Sequence, residues 1–294
     1  MLVPANGTRL HVEIEGQGTP CFVIVVSGIP LYQRTFSEHL RRRLQLIFID
    51  VRGSGRSDPT PHPPTLQEMV DDLEALREAL GLGRVVAIGS SAPGLLALEY
   101  GLRYPDSTLG VVMNGTPPRM SGLGEEQRRF WENHASPDRQ EFFAQRGPFT
   151  AEMAAAAPPG EAVARRYAHN GPLYFHDYAF DCLPYWRDCV FTPEWTDYFF
   201  GTLMANLDPT GSFPNLRVPV LLTLGRDDYV VPYTLWDPYL GQLPSLTYRL
   251  FERSGHWPHL EEQQAFDLAL LDWITTISGA GSQRRNHLGL GESS

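Results

Sequence analysis

Five short, almost uninterrupted apolar runs constrain this chain more than any other feature: CFVIVVSG (21–28), LQLIFID (44–50), RVVAIGS (84–90), LGVVMNG (109–115) and VPVLLTLG (218–225). A strand with one wet face alternates apolar and polar residues. A strand that is apolar throughout is buried on both faces, as in a parallel sheet covered by helices. Between the first four runs lie helical patterns at 33–43, 65–81 and 93–104. The middle one places Leu66, Met69, Val70, Leu73, Leu76 and Leu80 on one stripe. TRLHVEIEG (8–16) alternates, which suits a half-exposed antiparallel strand. Strand and helix in alternation with short connections predict a doubly wound, mostly parallel α/β sheet.

The alternation stops near residue 116 and resumes near 214. The intervening segment has no long β-branched run and is dense in aromatics, as in GPLYFHDYAFDCLPYWRDCVFTPEWTDYFFG. SLTYRLFERSG (245–255) supplies a further strand and 261–278 a closing amphipathic helix. The expected organisation is an α/β core over 1–115 and 214–278, a helical insertion over 116–213, and a flexible tail over 279–294, which lacks apolar periodicity.

Composition excludes several functions. Lys and Arg number 24 against 34 Asp and Glu, a formal charge of -10, which disfavours nucleic acid as a partner because phosphate binding needs a basic surface. Every basic residue is Arg, so lysine Schiff-base and P-loop chemistry are excluded. The longest apolar runs are about six residues, far below the ~20 of a membrane span, and the first residues lack the basic-then-apolar order of a signal peptide. Cys21, Cys182 and Cys189 give no disulfide framework, although Cys182 and Cys189 could pair. A cytoplasmic protein is expected, without metal or cofactor, acting on a small-molecule substrate; its oligomeric state stays open. His169 and His176 do not have metal-ligand spacing, and no H-E-x-x-H occurs.

The run RVVAIGS leads directly into Gly89-Ser90-Ser91-Ala92-Pro93-Gly94 and a helix. A sharp strand-to-helix turn would lift Ser91 above the carboxyl edge of the sheet, and small neighbours let strand and helix approach. Alone, this reads as an N-cap serine in a glycine-rich turn. It is followed, however, by Asp227-Asp228 just past the run VPVLLTLG, and by His256 and His259 after the last strand. A serine hydroxyl is a weak nucleophile until an imidazole removes its proton, and a carboxylate orients that imidazole.

With these residues the chain resembles the α/β-hydrolases at four ordered places over roughly residues 20–275: Asp50-Val51-Arg52-Gly53-Ser54-Gly55-Arg56-Ser57-Asp58, the GSSAPG turn, Gly225 to Pro232, and Gly255 to Glu261. The resemblance implies a serine hydrolase with Ser91 as nucleophile, selects Asp228 over Asp227, and selects His256 over His259. It implies oxyanion donors from the backbone N–H groups of Ile29 and Ala92. Here Ser27-Gly28-Ile29-Pro30 replaces the family's His-Gly, which alters how that loop is braced. Pro93 replaces a glycine and is expected to hold Ala92 extended. The insertion corresponds to the family's cap and looks most like the proline-iminopeptidase-like branch. Tyr185, Trp186, Glu194 and Trp195 are the candidate substrate-binding residues, with Asp177, Asp181 and Glu194 as candidate holders of an α-amine. The implied reaction is cleavage of a small carboxylic ester, lactone or N-terminal amide through an acyl-enzyme. Carbon–carbon bond hydrolysis, a lyase reaction and a catalytically silent binding protein are the alternatives.

Overall fold

The computed structural model describes residues 1–26, 28–158 and 160–288. Eight strands form one sheet: β1 (Leu2–Ala5), β2 (Thr8–Gly16), β3 (Thr19–Val25), β4 (Leu44–Asp50), β5 (Val85–Ser90), β6 (Thr108–Asn114), β7 (Val220–Gly225) and β8 (Leu246–Phe251). Their order is β1-β2-β4-β3-β5-β6-β7-β8. The β1–β2 and β2–β4 pairs are antiparallel, and every pair from β4 to β8 is parallel.

The side-chain period of two divides each central strand between two cores. Phe22, Ile24, Ile47, Ile49, Val85 and Ala87 face one, with the helices Leu66–Ala79 and Pro93–Arg103. Cys21, Val23, Val25, Leu46, Phe48 and Val86 face the other, together with Ile29, Leu31 and Tyr32 of the helix Ile29–Thr35 and Phe266 and Leu270 of the closing helix. The helix Leu66–Ala79 begins with a capping box: Thr65 accepts from the Glu68 N–H, and the Glu68 carboxylate accepts from the Thr65 N–H.

Two helices depart from the sequence pattern. The one expected over 33–43 is two, Ile29–Thr35 and Glu38–Arg41. Phe36 is extended, and Ser37 accepts the N–H groups of His39 and Leu40, so the serine starts a new helix rather than continuing the old one. The closing helix continues past residue 278, through the first part of the expected tail, to Leu288; 289–294 lie outside the described residues. Between β6 and β7 the described regular elements are all helical. Cys21, Cys182 and Cys189 are free thiols. No helix among the described residues is long and apolar enough to cross a membrane.

Candidate active site

The turn after β5 is shaped by what cannot fit there. A Cβ on Gly89 would lie 2.2 Å from the Pro93 carbonyl oxygen, and one on Gly94 would lie 2.0 Å from Thr116 Oγ1. The strand and the helix therefore touch at Gly89, and the helix start is pressed against the segment after β6 at Gly94. Ser91 takes up the reversal with φ of 62°, a left-handed conformation rare for a non-glycine residue. Its N–H donates to the Asn114 carbonyl at 2.8 Å, and its own carbonyl accepts from Gly94. Ala92 is helical (φ −53°, ψ −37°), not extended as Pro93 would favour. With the reversal completed at Ser91, the helix must start at once, and Pro93 occupies its first turn without loss because that N–H has no acceptor within the helix.

Asp228 follows β7 and is fully buried. One carboxylate oxygen, Oδ1, accepts from the Val230 and Val231 N–H groups at 2.9 and 2.7 Å. The other, Oδ2, lies 2.7 Å from His256 Nδ1. A carboxylate only accepts, so Nδ1 carries the hydrogen and Nε2 is left with its lone pair. The His256 N–H donates to the Tyr174 carbonyl at 2.6 Å. A Cβ on Gly255 would come 2.1 Å from that same carbonyl oxygen, and one on Gly225 would come 1.9 Å from the Gly255 carbonyl oxygen. The glycines that open the two motifs are thus in contact, and they bring the carboxylate to the imidazole. Asp227 instead faces His176 on the surface, its Oδ2 at 2.5 Å from Nδ1. His259 is buried in the core beside Asn114, its Nδ1 2.9 Å from Asn114 Nδ2.

Ser91 and His256 line one cavity of about 240 Å³, with Ala92 beside them. The Ser91 hydroxyl makes no hydrogen bond to a described residue. The helical segment supplies the aromatic wall: Tyr167 stacks on Trp186 at 4.5 Å, and Tyr174 meets the His256 ring edge-on at 5.6 Å. Trp257, after the histidine, stacks on Tyr174 at 5.8 Å.

Other expected site residues lie elsewhere. Ile29 lines a separate small cavity with Gly28, His11 and Asp50, while Val26, Leu31 and Tyr32 line the Ser91 cavity. Ser27 lies outside the described residues. Of the four substrate-binding candidates only Trp186 lines the cavity. Tyr185 packs near Phe180 and gives its carbonyl to Arg34. Glu194 is exposed at the start of the helix Pro193–Tyr198. Trp195 is buried against Phe199 and against Gly53, where a Cβ would come 2.6 Å from its Nε1. Asp177 and Asp181 accept from the backbone N–H groups of Ala179 and Leu183 on the surface. Sequence reasoning missed Tyr32, Arg166, Tyr167 and Trp257, all of which line the cavity. Aromatic density alone did not separate Tyr167 from aromatics that only pack, and it gave no signal for Arg166 or for Tyr32 and Trp257 outside the insertion.

The Asp50–Asp58 motif proves to be a brace. A Cβ on Gly55 would lie 2.3 Å from the Asp50 carboxylate carbon. That carboxylate takes the Arg56 N–H at 3.0 Å, and Arg52 Nε donates to Asp72 at 2.7 Å. No group of three or more His, Cys, Asp or Glu side chains able to hold a metal ion occurs among the described residues.

Comparison with known proteins bears on the family and the fold. The chain is 31% identical over 281 residues to the AB hydrolase superfamily protein YclE of Bacillus subtilis (strain 168), covering 92% of this chain and 96% of that one. It is 26% identical over 298 residues to a proline iminopeptidase of Lactobacillus helveticus (strain DPC 4571), covering 92% and 96%. A thermophilic esterase from Thermogutta terrifontis superposes with a TM-score of 0.70 at 22% identity, over 94% of this chain and 98% of the other, a likeness of fold. Residues 22–263 match the family model described as the alpha/beta hydrolase fold, and with this sheet order and the strand–turn–helix at Ser91, the chain belongs to the α/β-hydrolase family.

Proposed function

We propose that the protein is a serine hydrolase that cleaves a small carboxylic ester or lactone through an acyl-enzyme. The observation that carries this reading is the His256–Asp228 hydrogen bond at 2.7 Å in the wall of the cavity that holds Ser91 at its strained turn. Ser91 Oγ attacks the acyl carbon while His256 Nε2 takes its proton. The imidazolium, steadied by Asp228, returns that proton to the departing alkoxide. Water then adds to the acyl carbon while giving a proton to His256, and His256 passes that proton to Ser91 Oγ as the Oγ–acyl bond breaks and the acid leaves. The Ala92 N–H, at the start of the helix Pro93–Arg103, is the oxyanion donor this arrangement supports. Residues 116–213 act as a cap that excludes water above Ser91.

Among the relatives are proline iminopeptidases, yet no carboxylate lines the described cavity to hold an α-amine. This favours ester over N-terminal amide cleavage. The test is a fluorophosphonate label together with a panel of acyl esters and prolyl anilides. Ser91 should be the labelled residue, and Ser91→Ala should lower ester turnover by about four orders of magnitude with an unchanged melting temperature. A dead Ser90→Ala protein beside an active Ser91→Ala protein would overturn the reading. Labelling of Ser91 without turnover of any ester would favour lyase or carbon–carbon chemistry, and no labelling at all would favour a silent binding protein.

A further inference from the structure

The cavity around Ser91 and His256 has a one-sided charge. No Asp or Glu lines it among the described residues, and its one permanently charged side chain is Arg166. Arg166 stands on the helix Ala162–His169 and is exposed, so it sits where the cavity meets solvent. Its neighbour Arg165 is held by Glu161 at 2.9 Å. Arg166 has no such carboxylate partner, and its guanidinium makes no hydrogen bond to a described residue; its charge is felt by the Tyr167 and Tyr174 phenols. Tyr167 and Tyr174 line the same cavity, and neither hydroxyl bonds to a described residue. Burial pushes both phenols above their ordinary range, so both remain O–H groups at neutral pH.

A guanidinium beside two unengaged phenols, with no carboxylate among them, complements an anion and repels an ammonium group. The stacked Tyr167 and Trp186 rings, 4.5 Å apart, offer an apolar wall along which a short carbon chain can lie between that cation and Ser91. We infer that Arg166 sets the substrate class of this site: an ester or lactone that carries a second, ionised carboxylate, held by the guanidinium while the acyl carbon lies at Ser91. The catalytic half of this statement rests on the proposed role of Ser91; the preference for an anion does not.

Monomethyl adipate and its uncharged carboxamide, methyl adipamate, are nearly the same size and differ at one end, an anionic carboxylate against a neutral amide. Calorimetric titration of the Ser91→Ala protein should find the carboxylate bound at least about tenfold more tightly than the amide, the scale of one charge-assisted hydrogen bond. Adding Arg166→Met should bring the two affinities together. With Ser91 intact, the ratio of kcat/KM for the two esters should fall by about the same factor in Arg166→Met. Fluorophosphonate labelling of that variant verifies that it is folded with a reactive serine. Equal binding of the two probes, a preference that survives Arg166→Met, or binding of neither at millimolar concentration would overturn the inference. An active Ser91→Ala protein whose preference still depends on Arg166 would instead overturn the serine mechanism and leave the anion site standing.

Discussion

His256 and His259 stand three residues apart and live in opposite environments. The first bonds to Asp228 and faces the cavity. The second is buried between Tyr32, which it stacks on at 6.1 Å, and Phe36, and its Nδ1 accepts from the Asn114 amide. Burial, with His256 nearby, lowers the His259 pKa from 6.5 to about 3. An unfolded chain would therefore bind a proton between these values that the native chain refuses. The stability tied to neutral His259 is complete above pH 6.5 and is lost as pH falls toward 3. In His259→Gln the fall in unfolding free energy across that window should be shallower, by up to about 1.4 kcal/mol per pH unit, in urea titrations at several pH values. Equal slopes in the two proteins would mean that His259 titrates normally.

Individual elements determine which aromatics can meet substrate. The helix Pro193–Tyr198 turns Trp195 onto Phe199 and into the space left by the missing side chain of Gly53. The 3-10 turn Leu183–Trp186 directs Trp186 into the cavity. Both tryptophans are buried, so burial does not distinguish them, and their replacement should give different phenotypes. Trp195→Ala should destabilise the protein by about 3–5 kcal/mol in chemical denaturation while leaving the ranking of esters intact. Trp195→Phe should be milder, because the indole N–H is buried without a partner and no hydrogen bond is lost. Trp186→Ala should alter the ranking between short and bulky acyl groups. A Trp195→Ala protein that changes specificity without losing stability would return that residue to the site.

Across the whole molecule, the helical segment is not a separate body resting on the sheet. Ala164, Phe175, Cys182 and Trp186 belong to the same apolar cluster as β3 and the closing helix, while Trp195, Phe199 and Met204 belong to the cluster on the other face. The Tyr174 carbonyl also takes the His256 N–H, and the Leu173 carbonyl takes the Tyr229 N–H. With its apolar surface shared on both sides of the sheet, the segment should not unfold alone. Scanning calorimetry should show one transition for the whole chain, and removal of 116–213 should abolish cooperative unfolding. Two resolved transitions would show an independent cap.

The apolar runs determined the parallel sheet because only strands buried on both faces tolerate them, and the placement of β3 to β7 follows from those runs. The glycine-flanked Ser91 was legible for a related reason: a strand meeting a helix at once leaves room for nothing larger than hydrogen at Gly89, and Thr116 leaves none at Gly94. The motifs Gly225 to Pro232 and Gly255 to Glu261 pointed to Asp228 and His256 through the family resemblance, but no local pattern brings the two side chains together. Their meeting depends on the contact of Gly225 with Gly255, residues 30 positions apart in the numbering. The substrate wall was less legible still. Tyr185 and Trp186 are adjacent, as are Glu194 and Trp195, yet only Trp186 reaches the cavity. In short helices that lie across a sheet, the side a residue faces is set by how the segment packs, and that packing brings together residues far apart in the chain. The sequence therefore determined the sheet and the position of the strand–turn–helix at Ser91; only the tertiary structure decided that Arg166, without a carboxylate partner, would stand at the mouth of the same cavity.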